Sequence, residues 1–307
     1  METIHKTALV TGGAGFIGSH LVELLVSKGW EIRVLDDLST GHLENLEAVK
    51  DRIGFTIGSV TDPMAVANGV TGCEVVFHLA AKVFVPESFE IPDEYERVNV
   101  GGTAVVLDAA RKAGVRRVVF SSTCAVYGNP TKLPISEDDP VNPLSPYAKT
   151  KLAGEELGKK YAESGGPAFT ALRYFNVYGS RQDPRSAYSG VISRFADAIK
   201  KGTAPTIYGD GSQTRDFIHV SDVAQANLQA GSQSRTGFSV YNVGTGLETS
   251  IAELFKFMAE AKGFRMPPQH SPVRAGDIVR SVAGNTRAKS ALGFTVRALV
   301  RDRLGEL

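Results

Sequence analysis

Little in this chain would brace it from outside or carry it into a membrane. Two cysteines among 307 residues, Cys73 and Cys124, cannot build a disulfide framework, which excludes the small cross-linked scaffolds of oxidising compartments. Both lie in or beside apolar segments and read as small core residues. No apolar run approaches the ~18 residues that span a bilayer, so no transmembrane helix is expected. The first strand-like run begins near residue 7, which leaves no room for a signal peptide, and the chain reads as cytoplasmic. Charge of one sign is scarce too: 34 Lys and Arg against 33 Asp and Glu leave a net +1, with no basic stripe. Nucleic acid and anionic membranes are therefore not expected as partners. At 42% hydrophobic and 22% charged, the chain suits one large or two intimate soluble domains.

Glycine, by contrast, is concentrated where it says most. An apolar segment, Ala8-Leu9-Val10, runs into Thr11-Gly-Gly-Ala-Gly-Phe-Ile-Gly18 and then into a helix-like stretch from Ser19 to Val26. This is the strand, turn and helix that a dinucleotide needs. Gly12 permits the tight turn, Gly15 lets backbone N–H groups approach a pyrophosphate, and Gly18 lets helix pack on strand. The helix N-terminus adds unpaired donors and its positive dipole end. A second strand, Glu31–Leu35, ends on Asp36, eighteen residues after Gly18 and close to the ~20-residue offset of a ribose-binding acid.

Apolar runs alternate with helical patterns through the first half. Strands are predicted at 7–10, 31–35, 54–57, 74–79, 117–121 and 168–174, with helices near 16–28, 62–68, 94–113 and 148–163. Short, almost wholly apolar strands between helices imply a parallel sheet covered on both faces. The second half is less regular, with helices near 190–201, 221–232 and 250–262 and strands near 205–208, 215–219 and 239–243. Proline, glycine and serine gather at 128–146 and 179–190, long loops of the sort that carry function. The expected fold is α/β, a Rossmann-like doubly wound parallel sheet with a smaller C-terminal α/β substrate-binding lobe. Residues 1–176 form the cofactor domain, and 177–307 form mainly the second lobe, with some segments returning to the sheet.

The strand at 117 ends in Ser121-Ser122-Thr123, and Ser145-Pro146-Tyr147-Ala-Lys-Thr-Lys151 opens a helix further on. Tyr147 and Lys151 are four apart and share a helix face. A lysine beside a phenol favours the phenolate, making the tyrosine a competent general base. Thr123, at the carboxyl end of a parallel strand, sits where open α/β sheets bind ligands, and its hydroxyl is placed to hold the oxygen that Tyr147 deprotonates.

These segments resemble the extended short-chain dehydrogenase/reductases, the NAD-dependent epimerase/dehydratase family, and within it the UDP-glucose 4-epimerase branch. Asn99-Val-x-Gly-Thr103, Leu172-Arg-Tyr-Phe-Asn176-Val-Tyr-Gly179, Tyr208-Gly-Asp-Gly-x-Gln-Thr-Arg-Asp216, Arg274-x-Gly-Asp277 and His78-Leu-Ala-Ala81 extend the likeness over nearly the whole chain. The resemblance implies tightly held NAD and a UDP-sugar whose C4 is oxidised to a transient ketone, turned over and reduced on its other face. Tyr147 would take the 4-hydroxyl proton, Thr123 would hold the same oxygen, and Lys151 would tune Tyr147 and bind the nicotinamide ribose. By the same likeness Phe16, Ile17, Asp37, Ser39, Gly41, Ser59, Val60, Leu79, Ala80, Ala81, Tyr174 and Phe175 would line the cofactor groove. Asp36 would repel the extra phosphate of NADP. Asn176, Arg215 and Arg274 would bind the diphosphate, Asp277 the uridine ribose, and Val191, Thr206 and Tyr208 would border the uracil. A homodimer through the helices near 94–113 and 148–163 is implied as well.

The departures from the family pattern are informative. Ser59 stands where an acid is common, and Thr123 replaces a more frequent serine. The chain ends soon after Leu292-Gly-Phe294, so the end of the second lobe is expected to be trimmed or loosely ordered. Related dehydratases carry an Asp-Glu pair after the strand-end threonine; Cys124-Ala125 cannot do that work. Ser281 borders the sugar's C2 substituent in the family and is small, so N-acetylhexosamines are expected to fit beside the plain hexoses. A glucuronate substrate is the alternative, and it would need a cation near C6, for which Arg185 and Lys82 are the candidates.

Overall fold

In the computed structural model, which describes residues 6–182, 190–273 and 278–306, the chain winds twice around one sheet. Its first six strands are β1 (Thr7–Thr11), β2 (Glu31–Asp36), β3 (Ile53–Ile57), β4 (Val75–His78), β5 (Arg117–Thr123) and β6 (Ala168–Tyr174). A seventh, Phe238–Val243, returns from the second half to pair with β6. All pairs are parallel and the order is Phe238–Val243, β6, β5, β4, β1, β2, β3. The order reverses between β1 and β4, and the crevice beyond the carboxyl ends of those two strands is where such sheets bind ligands.

The strands are apolar throughout because both faces are covered. One face packs the helix α1 (Phe16–Ser27) and the Val220–Gly231 helix over Val10, Phe77, Val119 and Leu172. The other packs α2 (Pro63–Val70) and the Gly102–Lys112 helix over Leu9, Val76, Val118 and Phe120. Sequence capping sets the starts: Asp62 accepts from the Met64 and Ala65 amides ahead of α2, with Pro63 at its first position. Ser145 and Pro146 do the same for the helix Pro146–Glu163.

A smaller cluster lies beyond the sheet. Tyr178, Ile192, Phe195, Ile207, Leu254 and Met258 form its centre, from short strand pairs and the helices Val191–Lys200 and Ile251–Lys262. The last described residues join it: Val300–Arg303 is helical, and Val300 and Leu304 are buried in the same cluster, so this stretch is ordered rather than loose. The helix expected at 94–113 begins earlier and is interrupted. Pro92–Tyr95 and Gly102–Lys112 flank one wide π-helical turn, Glu96–Gly101, a feature frequent at functional sites.

Candidate active site

The glycine turn stands at the switch point. Gly12 has φ +70°, and a Cβ there would lie 2.7 Å from the Ala80 amide nitrogen, so the turn and the Leu79-Ala80 segment approach backbone to backbone. A Cβ at Gly18 would lie 2.0 Å from the Gly12 carbonyl oxygen. Gly15 precedes α1 and no side chain caps that helix, so its first amides face the groove with their dipole unopposed. Asp36 closes one end of the groove; its carboxylate accepts from the Ala14 and Leu38 amides, both at 2.9 Å. Burial raises its pKa while these two bonds oppose the rise. Asp37 accepts from the Ser39 amide at 3.0 Å, and a Cβ on Gly41 would touch an Asp36 oxygen at 2.9 Å. The Ser59 hydroxyl is shared with Thr61 at 2.9 Å, and Val60 is buried against Gly102. This donor and acceptor set fits a dinucleotide: uncapped amides for a pyrophosphate, a buried carboxylate for a ribose, and glycines that leave room for both.

At the other end, the Thr123 hydroxyl of β5 stands close enough to the Tyr147 phenol, on the helix Pro146–Glu163, to favour its ionised form. Lys151, 2% exposed, follows one turn on, with its ammonium 4.7 Å from the centre of the Phe120 ring. It makes no hydrogen bond among the described residues, leaving its donors for a ligand. The expected electrostatics need correction here. Burial pushes the Tyr147 phenol up to about 12 against the effect of the Thr123 hydroxyl, and pulls Lys151 down to about 7 against the pull of Glu155. Without ligands, each side chain is held toward its neutral form, because the pair is desolvated before it is paired.

Polar residues whose roles the sequence left unassigned fix this end. His78, fully buried at the end of β4, bonds Thr11 through Nδ1 at 2.8 Å and Thr103 through Nε2 at 3.0 Å. Burial pulls its pKa down to about 3, and the Lys151 charge adds to that, so the imidazole is neutral. Asn99, on the π turn, accepts from the Lys82 amide at 2.8 Å and donates to the Lys82 carbonyl and the Thr150 hydroxyl, both at 3.0 Å. Tyr174 donates to Asn227 at 3.0 Å and stands close enough to Tyr147 for their charges to interact. His78 and Asn99 lie in segments the sequence singles out, but their bonds join elements far apart in the chain.

The substrate-side residues meet this site unevenly. Ser281, 5% exposed, stands beside the thiol of Cys124, the neighbour of Thr123. Burial pushes the Cys124 thiol up to about 12; Asp216 adds to the rise and Arg215 opposes it, so both stand nearby. The Arg215 guanidinium donates to the Thr214 and Ile278 carbonyls at 2.9 and 2.6 Å. Asn176 pairs beside Phe217, its amide donating to the Asp216 carbonyl at 3.0 Å. Phe175 is buried beneath it in a cluster with Val126, Tyr127 and Ala283. Thr206 and Tyr208 end a strand paired with Gln269–Ser271, and Val191 starts its helix. No hydrogen bond among the described residues joins Val191 or Thr206 to the catalytic side chains. Arg185, Arg274 and Asp277 lie outside the described residues. Lys82 approaches Glu87 at 3.9 Å and lies over the Tyr95 ring at 6.0 Å.

Asp216 knots this side together. Fully buried, it accepts from the Thr245 amide and hydroxyl at 2.8 and 2.6 Å, the Gly246 amide at 2.9 Å and the Ala283 amide at 3.1 Å. Replacing it with alanine would orphan four donors, an expected loss of about 3 kcal/mol. Chemical denaturation measures this; a loss under about 1 kcal/mol would show that the knot is not structural.

A parallel sheet with a glycine turn at its switch point and a Tyr-x-x-x-Lys helix beside it defines a nucleotide-dependent α/β enzyme of the short-chain dehydrogenase/reductase type. The family model "NAD dependent epimerase/dehydratase family" matches residues 8–244, and the chain belongs to that family. It is 43% identical to a UDP-glucose 4-epimerase of Mycolicibacterium smegmatis, over 97% of this chain and 96% of that one. A UDP-N-acetylglucosamine 4-epimerase from Methanobrevibacter ruminantium, solved with UDP-N-acetylmuramic acid, superposes at TM-score 0.94 with 34% identity, covering 98% and 96% of the two chains. MoeE5, solved with UDP-glucuronic acid and NAD, superposes at 0.88 with 38% identity, covering 98% and 97%. No helix among the described residues is long and apolar enough to cross a membrane.

Proposed function

We propose that this protein is an NAD-dependent 4-epimerase of UDP-hexoses, acting on UDP-glucose and UDP-galactose and also on their N-acetylated counterparts. The approach of Thr123 to Tyr147, at the carboxyl end of β5, carries the reading. Gly12, Gly15, Phe16, Ile17, Asp36, Asp37, Ser39, Gly41, Ser59, Val60 and the Leu79–Ala81 segment would hold the cofactor, with Tyr174 beside Tyr147. NAD bound there supplies a reversible hydride acceptor for C4 of the sugar.

The chain's own residues do the rest. Tyr147 Oη takes the proton from the sugar's O4 and later gives it back, and Thr123 Oγ1 holds that oxygen within reach in both directions. Lys151, in its charged form, favours the phenolate at the moment of transfer. Arg215 and Asn176 would hold the diphosphate, with Arg274 and Asp277 from the segment outside the described residues. Val191, Thr206 and Tyr208 would border the base. Ser281 leaves space at C2, and residues 177–307 would act mainly as the sugar-nucleotide lobe.

Two observations weigh against other chemistry. The Cys124 thiol is pushed up to about 12 and Ala125 has no acid, so the proton transfers of dehydration lack a carrier. MoeE5 keeps a glucuronate reading in view; of its two candidate cations, Lys82 is countered by Glu87 and Arg185 lies outside the described residues. Exposed Phe89 and Ile91, in and after the short helix Glu87–Glu90 that packs near the helix Pro146–Glu163, support a homodimer there. Light scattering of the eluting protein tests it, and a monomeric mass would reject the pairing.

The first experiment offers purified protein, without added NAD, UDP-galactose, UDP-GalNAc and UDP-galacturonate in parallel. Proton NMR at the anomeric position should show the gluco epimers of the first two. No epimer even with NAD supplied would reject the assignment, and turnover of galacturonate alone would move it to the glucuronate series.

A further inference from the structure

His78 takes no part in the proton transfers above, yet three elements meet on it. Its imidazole is 1% exposed, between Thr11 at 0% and Thr103 at 1%. Thr11 ends β1 just before the glycine turn, Leu79–Ala81 follows His78 directly, and Thr103 stands in the first turn of the helix after the π turn. We propose that His78 is a positioning residue for NAD: fixed as the neutral tautomer with its proton on Nε2, it holds the Leu79–Ala81 wall at a set distance from the glycine turn. The proposal rests on the cofactor reading above.

The neighbouring hydroxyls fix the tautomer. A threonine hydroxyl has one hydrogen to give and can accept as well. Thr103 gives its hydrogen to the Asn99 carbonyl one turn back, a back-bond open to helical threonines. Its oxygen, 3.0 Å from Nε2, is then left to accept, so Nε2 carries the proton. Nδ1 is bare and accepts from the Thr11 hydroxyl at 2.8 Å. The Thr11 oxygen in turn accepts from the Ala80 amide at 3.3 Å. From Ala80 through Thr11, His78 and Thr103 to Asn99, every donor meets an acceptor. A proton on Nδ1 would leave the Thr11 hydroxyl with no acceptor among the described residues, in a place without solvent. A charged imidazole would do the same.

These bonds shape the groove. Thr11 lies opposite His78 in the β1–β4 pair, and the Leu79 amide donates to the Thr11 carbonyl at 3.1 Å. The Thr11 hydroxyl carries that tie one residue further, to Ala80, and His78 Nδ1 keeps the hydroxyl turned to do so. There is no slack in the approach, since a Cβ on Gly12 would lie 2.7 Å from the Ala80 nitrogen. Through Nε2 the same ring reaches Thr103, one turn after the Asn99 that accepts from the Lys82 amide at 2.8 Å. Both ends of the Leu79–Lys82 stretch are thus anchored through one ring. Filling space alone would not call for a histidine: Val75, Val76 and Phe77, which precede it on β4, are fully buried and apolar.

The experiment separates the ring's polarity from its size. Asparagine puts a carbonyl oxygen near the place of Nδ1, and glutamine puts an amide N–H near the place of Nε2. His78→Asn therefore keeps the acceptor for Thr11, and His78→Gln keeps only the donor to Thr103. Release of NAD from the purified holoenzyme should quicken about tenfold or more in His78→Gln and under about threefold in His78→Asn. A ring that only filled space would give the opposite order, since glutamine is closer to histidine in volume. That order, or equal rates, overturns the proposal. Should the variants not fold, NMR of wild-type protein labelled with 15N-histidine decides, with His78 assigned by its contacts to the Thr11 and Thr103 methyl groups. A proton on Nε2 alone at neutral pH is expected; one on Nδ1, or on both nitrogens, overturns the proposal. Wild-type protein that neither retains nor takes up NAD sinks the cofactor reading and the positioning role with it. Retained NAD with the wrong order of variants sinks the positioning role alone.

Discussion

Tyr147→Phe is expected to fold and keep its NAD while its epimerase rate falls ~10²- to 10⁴-fold, the range that removal of a positioned general base produces. Thr123 stands beside the phenol hydroxyl, and burial already disfavours its ionisation. Deleting that oxygen costs at most one modest hydrogen bond, so the thermal midpoint should move little. Anomeric NMR gives the rate, and absorbance of the denatured protein gives the cofactor content. A fall of less than about tenfold would mean that another group takes the proton, and the mechanism would have to be rebuilt around it.

Lys151→Met should do two opposite things. The rate is expected to fall ~10³-fold, because nothing else on that face favours the phenolate. The ligand-free protein should meanwhile gain stability. Burial holds Lys151 near 7 in the folded state against 10.5 for the model lysine, so its charged form is penalised only when folded. That penalty is complete below pH 7 and fades between 7 and 10.5, as the folded-state lysine has already lost its proton. The gain from methionine should therefore be largest near pH 6, on the order of a few kcal/mol, and vanish above the upper value. Denaturation midpoints at pH 6 and pH 10 check the sign. A variant less stable at pH 6 would show that the lysine packs favourably despite its burial.

What the sequence made legible was local. Gly12, Gly15 and Gly18 sit in one turn, Asp36 ends the next strand, and Tyr147 and Lys151 are one helical turn apart, so spacing alone places them. The strands stood out because both faces are buried and their residues are nearly all apolar. The helical turns at Leu43–Arg52 and the short strand Asn176–Tyr178 did not, since neither carries a regular apolar period. The electrostatic state of Tyr147 without ligands is not legible for a different reason: the favourable partner is visible in the sequence, but the cost of burying both groups depends on packing by distant segments. Glu155 and Asp216 belong to the same class. An acidic residue on a helix or in a loop reads as solvated until Arg173, or four donors from two other segments, close around it.

The wide turn at Glu96–Gly101 has an evolutionary reading. It amounts to one surplus residue inside an otherwise continuous helix, and it lets Asn99 clamp Lys82 while Thr103 reaches His78. Losing a single residue there would rotate everything on one side by about 100° relative to the other. One of those two anchors would then face away from the crevice, whatever residues were substituted later. Loops elsewhere in such a chain can lengthen or shorten at little cost. This stretch tolerates replacement but not a change of count, so its length should be as fixed in descent as the identity of Tyr147.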